Sequence, residues 1–169
     1  ASVNMDEAAN LNLQMISPID VNASYYDWQF LGEKVIDGSD QFEFFGAFIP
    51  KHIVDEYESA LTEAGFGVAA VEFPGLSLTR VLIEAGEGIL KNKAYLLLYL
   101  GGNGLTFCLV KDGNLYFTHS VSWSSVYGEQ RQIVFDSFKK LIIDETKKVL
   151  NFYENHWQGD AVENFLIVS

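Results

Sequence analysis

Between Ala94 and Val121 the hydrophobic positions fall into three short runs separated by turn residues, a pattern that predicts three consecutive strands. The first run, Ala94 to Leu100, is almost continuously apolar, the mark of a strand covered on both faces. Gly101, Gly102, Asn103 and Gly104 then turn the chain, because glycine and asparagine adopt positive φ at little cost. Leu105 to Val110 returns, and residues 111–114 turn again around a hairpin-type Asp112-Gly113. Leu115 to Val121 is the third strand, which completes a meander.

The rest of the chain is organised around that meander. Residues 1–10 are small and polar and are expected to fray, while Leu11 to Ile16 reads as a short helix stopped at Ser17-Pro18. Asp27 to Val35 and Phe42 to Ile49 read as strands of a hairpin that turns at residues 37–40. From His52 to Ala64 the apolar residues Ile53, Val54, Tyr57, Ala60, Leu61 and Ala64 recur at helical spacing, and Gly65 supplies the stop. Val68 to Phe73 predicts a short strand, and Pro74 opens a helix through Leu76, Leu78, Val81 and Leu82. Glycines and charges in residues 84–93 break regular structure and mark a boundary.

After the meander, a long helix is expected from about Gly128 to His156. Ile133 or Val134, Phe138, Leu141, Ile142, Val149, Phe152 and Tyr153 would face inward, with Lys139, Lys140, Glu145, Lys147 and Lys148 outside. Gly159-Asp160 breaks it, and Glu163 to Ser169 is a last strand. A buried-type strand with nothing after it suggests a truncated chain or a trimmed tail. The organisation expected is therefore a frayed segment at 1–10, a small α/β subdomain at 11–73, a connecting helix and linker at 74–93, and a lobe at 94–169.

Composition narrows the partners. A hydrophobic content of 49 % with 14 % aromatics marks a folded chain. Eleven Lys and Arg against 23 Asp and Glu leave a net charge of −12, which argues against nucleic acid or anionic lipid as the main partner. The one cysteine, Cys108, lies in a predicted strand, so no internal disulfide forms and a reducing compartment is favoured. No secretory signal pattern is evident, and no apolar run approaches the roughly 20 residues that a membrane helix needs, so direct membrane insertion is not expected.

Candidate chemistry is sparse. Gly101, Gly102, Asn103 and Gly104 with Thr106 could cradle a phosphate through backbone amides, against the plainer reading of a tight hairpin. His119 with Ser120, Ser122, Ser124 and Ser125 invites a hydrolase reading. No Gly-x-Ser-x-Gly elbow is present, however, and strand alternation puts His119 and Ser120 on opposite faces. His52, His119 and His156 lie on separate elements without ligand spacing, so no metal is expected. Asp55, Glu56, Glu58, Asp144 and Glu145 read as solvated helix faces, and Trp28, Trp123 and Trp157 as core or cap residues.

Several short motifs are similar, in order, to those of one known family. Leu13 to Ile19 is similar to that family's short helix ending in an Ile-Pro pair, and Asp27-Trp28-Gln29 to its Asp-Trp-Gln strand. Phe45 to Tyr57 with Leu61 and Ala64-Gly65-Phe66 is similar to the strand and helix that end in Ala-Gly-Leu. Val71-Glu72 with Leu76 to Leu82 is similar to the linker into the second lobe, and Leu115 to Thr118 to a Leu-Phe-Thr-Arg strand. In these motifs the chain resembles the actin-like pilus-assembly family PilM, a branch near the division protein FtsA, over about residues 11–169. The resemblance implies an α/β (α+β) fold: an actin-like, ribonuclease H-like lobe with a three-stranded meander and a long helix, preceded by a small α/β subdomain.

Departures from the family pattern decide the functional expectation. Active members carry Asp before Ile-Gly on the hairpin strand, where the carboxylate helps hold magnesium water; here Tyr99 precedes Leu100-Gly101. The first phosphate loop, the inserted subdomain that closes over nucleotide and the Gly-Gly adenosine turn have no counterpart in this sequence. The resemblance therefore implies a non-catalytic interaction module of a bacterial pilus or secretion assembly, with no cofactor. The alternative is a nucleotide-binding ATPase or kinase-like enzyme with ATP and Mg, held by Gly101, Gly102, Asn103, Gly104 and Thr106. The implied partner is the cytoplasmic segment of a membrane assembly protein, captured by the hairpin or along the His52–Ala64 helix, with Tyr25, Tyr26, Phe44 and Phe48 as contacts. A homodimer is a further expectation, and the location implied is cytoplasmic, with the inner membrane reached through the partner.

Overall fold

The computed structural model describes residues 4–36, 38–86, 93–127, 132–157 and 161–169, which form two compact units dividing between Val71 and Glu72. The first unit opens with helix α1 (Met5–Ile16), longer than the Leu11–Ile16 helix expected. Residues 5–10 are helical because Asp6 and Glu7 lie in the first turn, where carboxylates complement the helix dipole, and two alanines follow. Ala9 and Leu13 are buried, and Leu13 fills the space left by the missing side chain of Gly46.

Strands β1 (Ser24–Ile36) and β2 (Ser39–Pro50) form the expected hairpin in antiparallel register from Ser24↔Pro50 to Ile36↔Ser39, with an irregularity between Phe30 and Gly32. One face carries a ladder of rings: Tyr26 against Phe48, Trp28 against Phe44, and Phe30 against Phe42 and Phe44, with centroids 5.1–6.2 Å apart. Helix α2 (Lys51–Glu63) follows at once. It ends in a Schellman closure, in which Phe66 N–H donates to Leu61 O (2.9 Å) and Gly65 N–H to Thr62 O (3.0 Å), with Gly65 at φ +86°.

The strand expected at Val68–Phe73 does not form. Its β-branched residues favour an extended chain, but a strand exists only where a neighbour accepts its ladder, and the sheet of this unit stops at two strands among the described residues.

The second unit begins with helix α3 (Pro74–Ala85), with proline at its first position as the sequence implies. Strands β3 (Ala94–Gly101), β4 (Gly104–Lys111) and β5 (Asn114–Ser122) form the predicted antiparallel meander. Helix α4 (Phe135–His156) carries the chain over to β6 (Val162–Val168), which pairs with β3 in parallel. The sheet order is β5-β4-β3-β6.

Both faces of β3 and β4 are covered, as the unbroken apolar run of β3 predicts. Leu96, Leu98, Leu105, Phe107 and Val149 form a core on the α4 face, with Phe138, Leu141 and Ile142 packed against it. Each such side chain contributes about 1.5–3 kcal/mol when fully buried. On the other face, a Cβ on Gly75 of α3 would lie 3.0 Å from Cys108 Sγ and 3.3 Å from Leu115, so α3 approaches as closely as glycine permits.

Three expectations for this unit need correction. Helix α4 starts at Phe135; residues 132–134 are not helical and Ile133 and Val134 are exposed, while 128–131 lie outside the described residues. Branching at Cβ makes Ile133 and Val134 weak helix formers, and Val134 is extended at φ −83°, ψ 120°. Strand β6, expected as a buried-type strand, alternates instead, with Phe165 and Ile167 exposed; at the first bend of the meander, Gly104 takes the positive φ (+153°) that its glycines allow. The Asp112-Gly113 bend behaves as expected, with φ +51° and +78°. The third, Glu145, belongs with the site below. The breaks expected within 87–92 and at Gly159-Asp160 lie outside the described residues.

Candidate functional site

The five residues predicted to cradle a phosphate come together at one end of the β3–β4 hairpin. Gly101 pairs with Gly104, leaving Gly102 and Asn103 as an exposed two-residue bend. Gly104 is required by close approach: a Cβ there would collide with the carbonyl oxygen of Val121 and lie 2.9 Å from Ser122 Cα. Trp123 fastens the bend from β5, its indole Nε1 donating to Gly101 O (2.8 Å) and its backbone N–H to Asn103 O (3.2 Å). Trp123 is thus a cap, as expected of it.

Beside the bend, Tyr99, Thr106 and Ser120 stand in register across three strands on one face. The Tyr99 ring lies so near Gly101 that a Cβ would be 2.6 Å from its Cε1, and the Thr106 and Ser120 hydroxyls are 3.1 Å apart. A phenol and two hydroxyls are weak donors for a hard divalent cation, which prefers carboxylates. The neighbouring serines are occupied locally: Ser122 Oγ accepts from Ser124 N–H (3.2 Å) and lies 2.9 Å from Ser124 Oγ.

On the opposite face the structure assembles a cluster that the sequence reading placed elsewhere. Glu145, expected outside, points from α4 toward the sheet and is buried. Its Oε2 lies 2.8 Å from His119 Nε2 on β5, and its Oε1 accepts from Lys148 Nζ at 2.6 Å. Hydrogen bonding to Lys148 holds the Glu145 carboxyl below the usual range; partial desolvation opposes this, and the His119 bond adds to it. The signal was present in the spacing, since 145 continues the 138, 141/142, 149 stripe; its charge alone suggested solvent. Ser120 faces away from His119, toward Thr106, so no serine–histidine pair forms.

The four expected partner contacts divide between the two faces of the first hairpin. Tyr26, Phe44 and Phe48 lie half-buried in the ring ladder, whereas Tyr25, one position along, is exposed on the reverse. Its phenol donates to Asp55 Oδ1 (3.0 Å) on α2, and that bond raises its pKa above the ordinary tyrosine value. Lys51 Nζ lies 5.7 Å from the Tyr25 ring centre and donates to Asn22 O at 2.8 Å. Among the described residues, no three His, Cys, Asp or Glu side chains converge on a metal-sized space, and no helix is long and apolar enough to cross a membrane.

No family model and no curated protein matches the chain. Among solved structures, a chain of the "PilM-PilN type IV pilus biogenesis complex" aligns over 96 % of this chain with a TM-score of 0.68 and 14 % identity. In fold, the chain is similar to PilM. It spans about half, 55 %, of the PilM chain's length. The Aquifex aeolicus member of the Ppx/GppA family also aligns, over 78 % of this chain and 58 % of its own at 10 % identity, but its TM-score of 0.29 carries no weight. On the PilM-like frame, meander, crossover helix and parallel β6 make the actin-like α+β lobe expected from the resemblance, and the first unit is the smaller α/β part.

Proposed function

We propose that this chain is a non-catalytic, actin-like interaction module of a cytoplasmic assembly complex related to type IV pilus or secretion machinery. It reaches the inner membrane by gripping the cytoplasmic segment of a membrane partner. The observation that carries the proposal is the PilM-like backbone over 96 % of the chain, found in a protein that is described in complex with PilN. The donor set at the glycine bend supports it: Tyr99, Thr106 and Ser120 offer a metal-bound triphosphate no carboxylate.

Thermal melting with and without Mg-ATP tests the catalytic side. A ligand of the folded state raises Tm, so the proposal expects no shift at millimolar nucleotide, and a clear rise would replace it with the nucleotide-binding alternative. Recovery of a membrane assembly protein with the tagged chain from its native source tests the partner side. Of the four proposed contacts, Tyr25 has the most accessible ring, so Tyr25→Ala is the variant that should lower recovery without unfolding the hairpin.

A further inference from the structure

Little of helix α2's apolar repeat faces the hairpin: Val54 alone of it is half-buried. None of its residues is buried. Its links to the hairpin, Asp55 to Tyr25 and Lys51 to Tyr25 and Asn22, run from its polar side. At about 100° per residue, Asp55 lies roughly 160° around the helix from Tyr57. The stripe of Ile53 (38 % exposed), Tyr57 (71 %) and Leu61 (44 %) therefore looks outward. The Schellman closure adds Phe66 (65 % exposed) beside Leu61, which extends the apolar strip past the helix end.

Charge says what kind of surface would cover it. Glu56 and Glu63 border the stripe on one side and Glu58 on the other, each roughly 100–120° from Tyr57 on the helical wheel. A second copy of the chain would bring these same carboxylates face to face, in a molecule already at −12. A cationic surface would pair them and bury the stripe together. Ala60 and Ala64 lie within the stripe and let another helix approach closely.

We propose that the outward face of α2 docks a cationic amphipathic helix of a partner protein, apolar residues against Ile53, Tyr57, Leu61 and Phe66, and Lys or Arg against Glu56, Glu58 and Glu63. This rests on the interaction-module reading and names the surface and the chemistry of its partner. The mode is helix-on-helix packing with anchors spaced i, i+4, i+8.

The test uses a fluorescent leucine–lysine amphipathic peptide, the whole chain, and a Tyr57→Ser/Leu61→Ser double variant whose melting is first shown to match the parent's. Binding followed by anisotropy should weaken at least about tenfold in the double variant. Glu58→Gln/Glu63→Gln should weaken it at low salt and flatten its salt dependence. Equal binding by parent and Tyr57→Ser/Leu61→Ser overturns the proposal, because overall charge alone would then hold the peptide. A parent that sediments as a dimer and a double variant that sediments as a monomer overturns it in favour of a second copy. The double variant is also carried through native-partner recovery: undiminished recovery leaves the interaction-module reading intact and removes α2 from it.

Discussion

His119 on β5 and Glu145 on α4 meet across the helix–sheet interface, with Nε2 2.8 Å from Oε2, and Lys148 holds the second carboxylate oxygen. Because the folded-state pKa of Glu145 is lowered, its contribution to stability is fully present above the unfolded glutamate value of about 4.3 and is lost as pH falls through the lower folded value. Glu145→Gln keeps the shape and removes the charge. Urea denaturation at neutral pH should show a loss of about 1–3 kcal/mol. The gap between parent and variant should narrow as pH falls below the carboxylate range; a gap constant with pH would mean that the charge does not matter there.

Gly102 and Gly104 of the first bend should respond differently to the same change. Gly104→Ala meets the Val121 carbonyl and a left-handed φ, so it should destabilise by about 2–3 kcal/mol. Gly102→Ala meets nothing within 4 Å and should stay within about 0.5 kcal/mol of the parent. Comparison of the two denaturation midpoints checks this directly.

Cys108 is fully buried between α3 and the sheet, and burial pushes its thiol up to about 11, with Thr118 Oγ1 3.9 Å away opposing the shift. A disulfide reagent at mildly alkaline pH should therefore leave the folded protein unmodified and titrate one thiol after denaturation. Reaction at the rate of an exposed thiol would show that α3 does not seal that face.

Leu13 is the side chain that seats α1 on Gly46, with Ala9 beside it. Leu13→Ala should cost about 2–3 kcal/mol locally. Hydrogen exchange should accelerate in Met5–Ile16 while the amides of β3 and β4 keep their protection.

What could be read in advance was what local chemistry decides. The meander was legible because its turns carry their own instructions: Asp112-Gly113 adopts the conformation its residues prefer. Proline at position 74 and glycine at 65 marked a helix start and a helix end for the same reason. Periodicity gave the α2 stripe correctly but not its direction, since a repeat of apolar residues shows that a face exists and not that its own unit covers it. The charge of Glu145 points to solvent while its place in the stripe points to burial, and the partners that make burial tolerable, His119 and Lys148, meet it only in three dimensions. Val68–Phe73 has strand composition without a strand, because pairing depends on a neighbour that composition does not supply. At the glycine bend the residues are neighbours by sequence, but the link to Trp123 spans 22 positions and leaves no local trace.

The parallel pairing of β6 with β3 bears on the order in which the second unit assembles. Each meander strand finds its neighbour across a few residues, so those ladders close at small entropic cost. Strand β6 must wait: two hairpins and all of α4 separate Ala94 from Val162. Long-range zippering of this kind sets the pace of a fold. During synthesis the nascent meander would emerge and collapse before α4 and β6, with the outer flank of β3 uncapped until the last strand slots in.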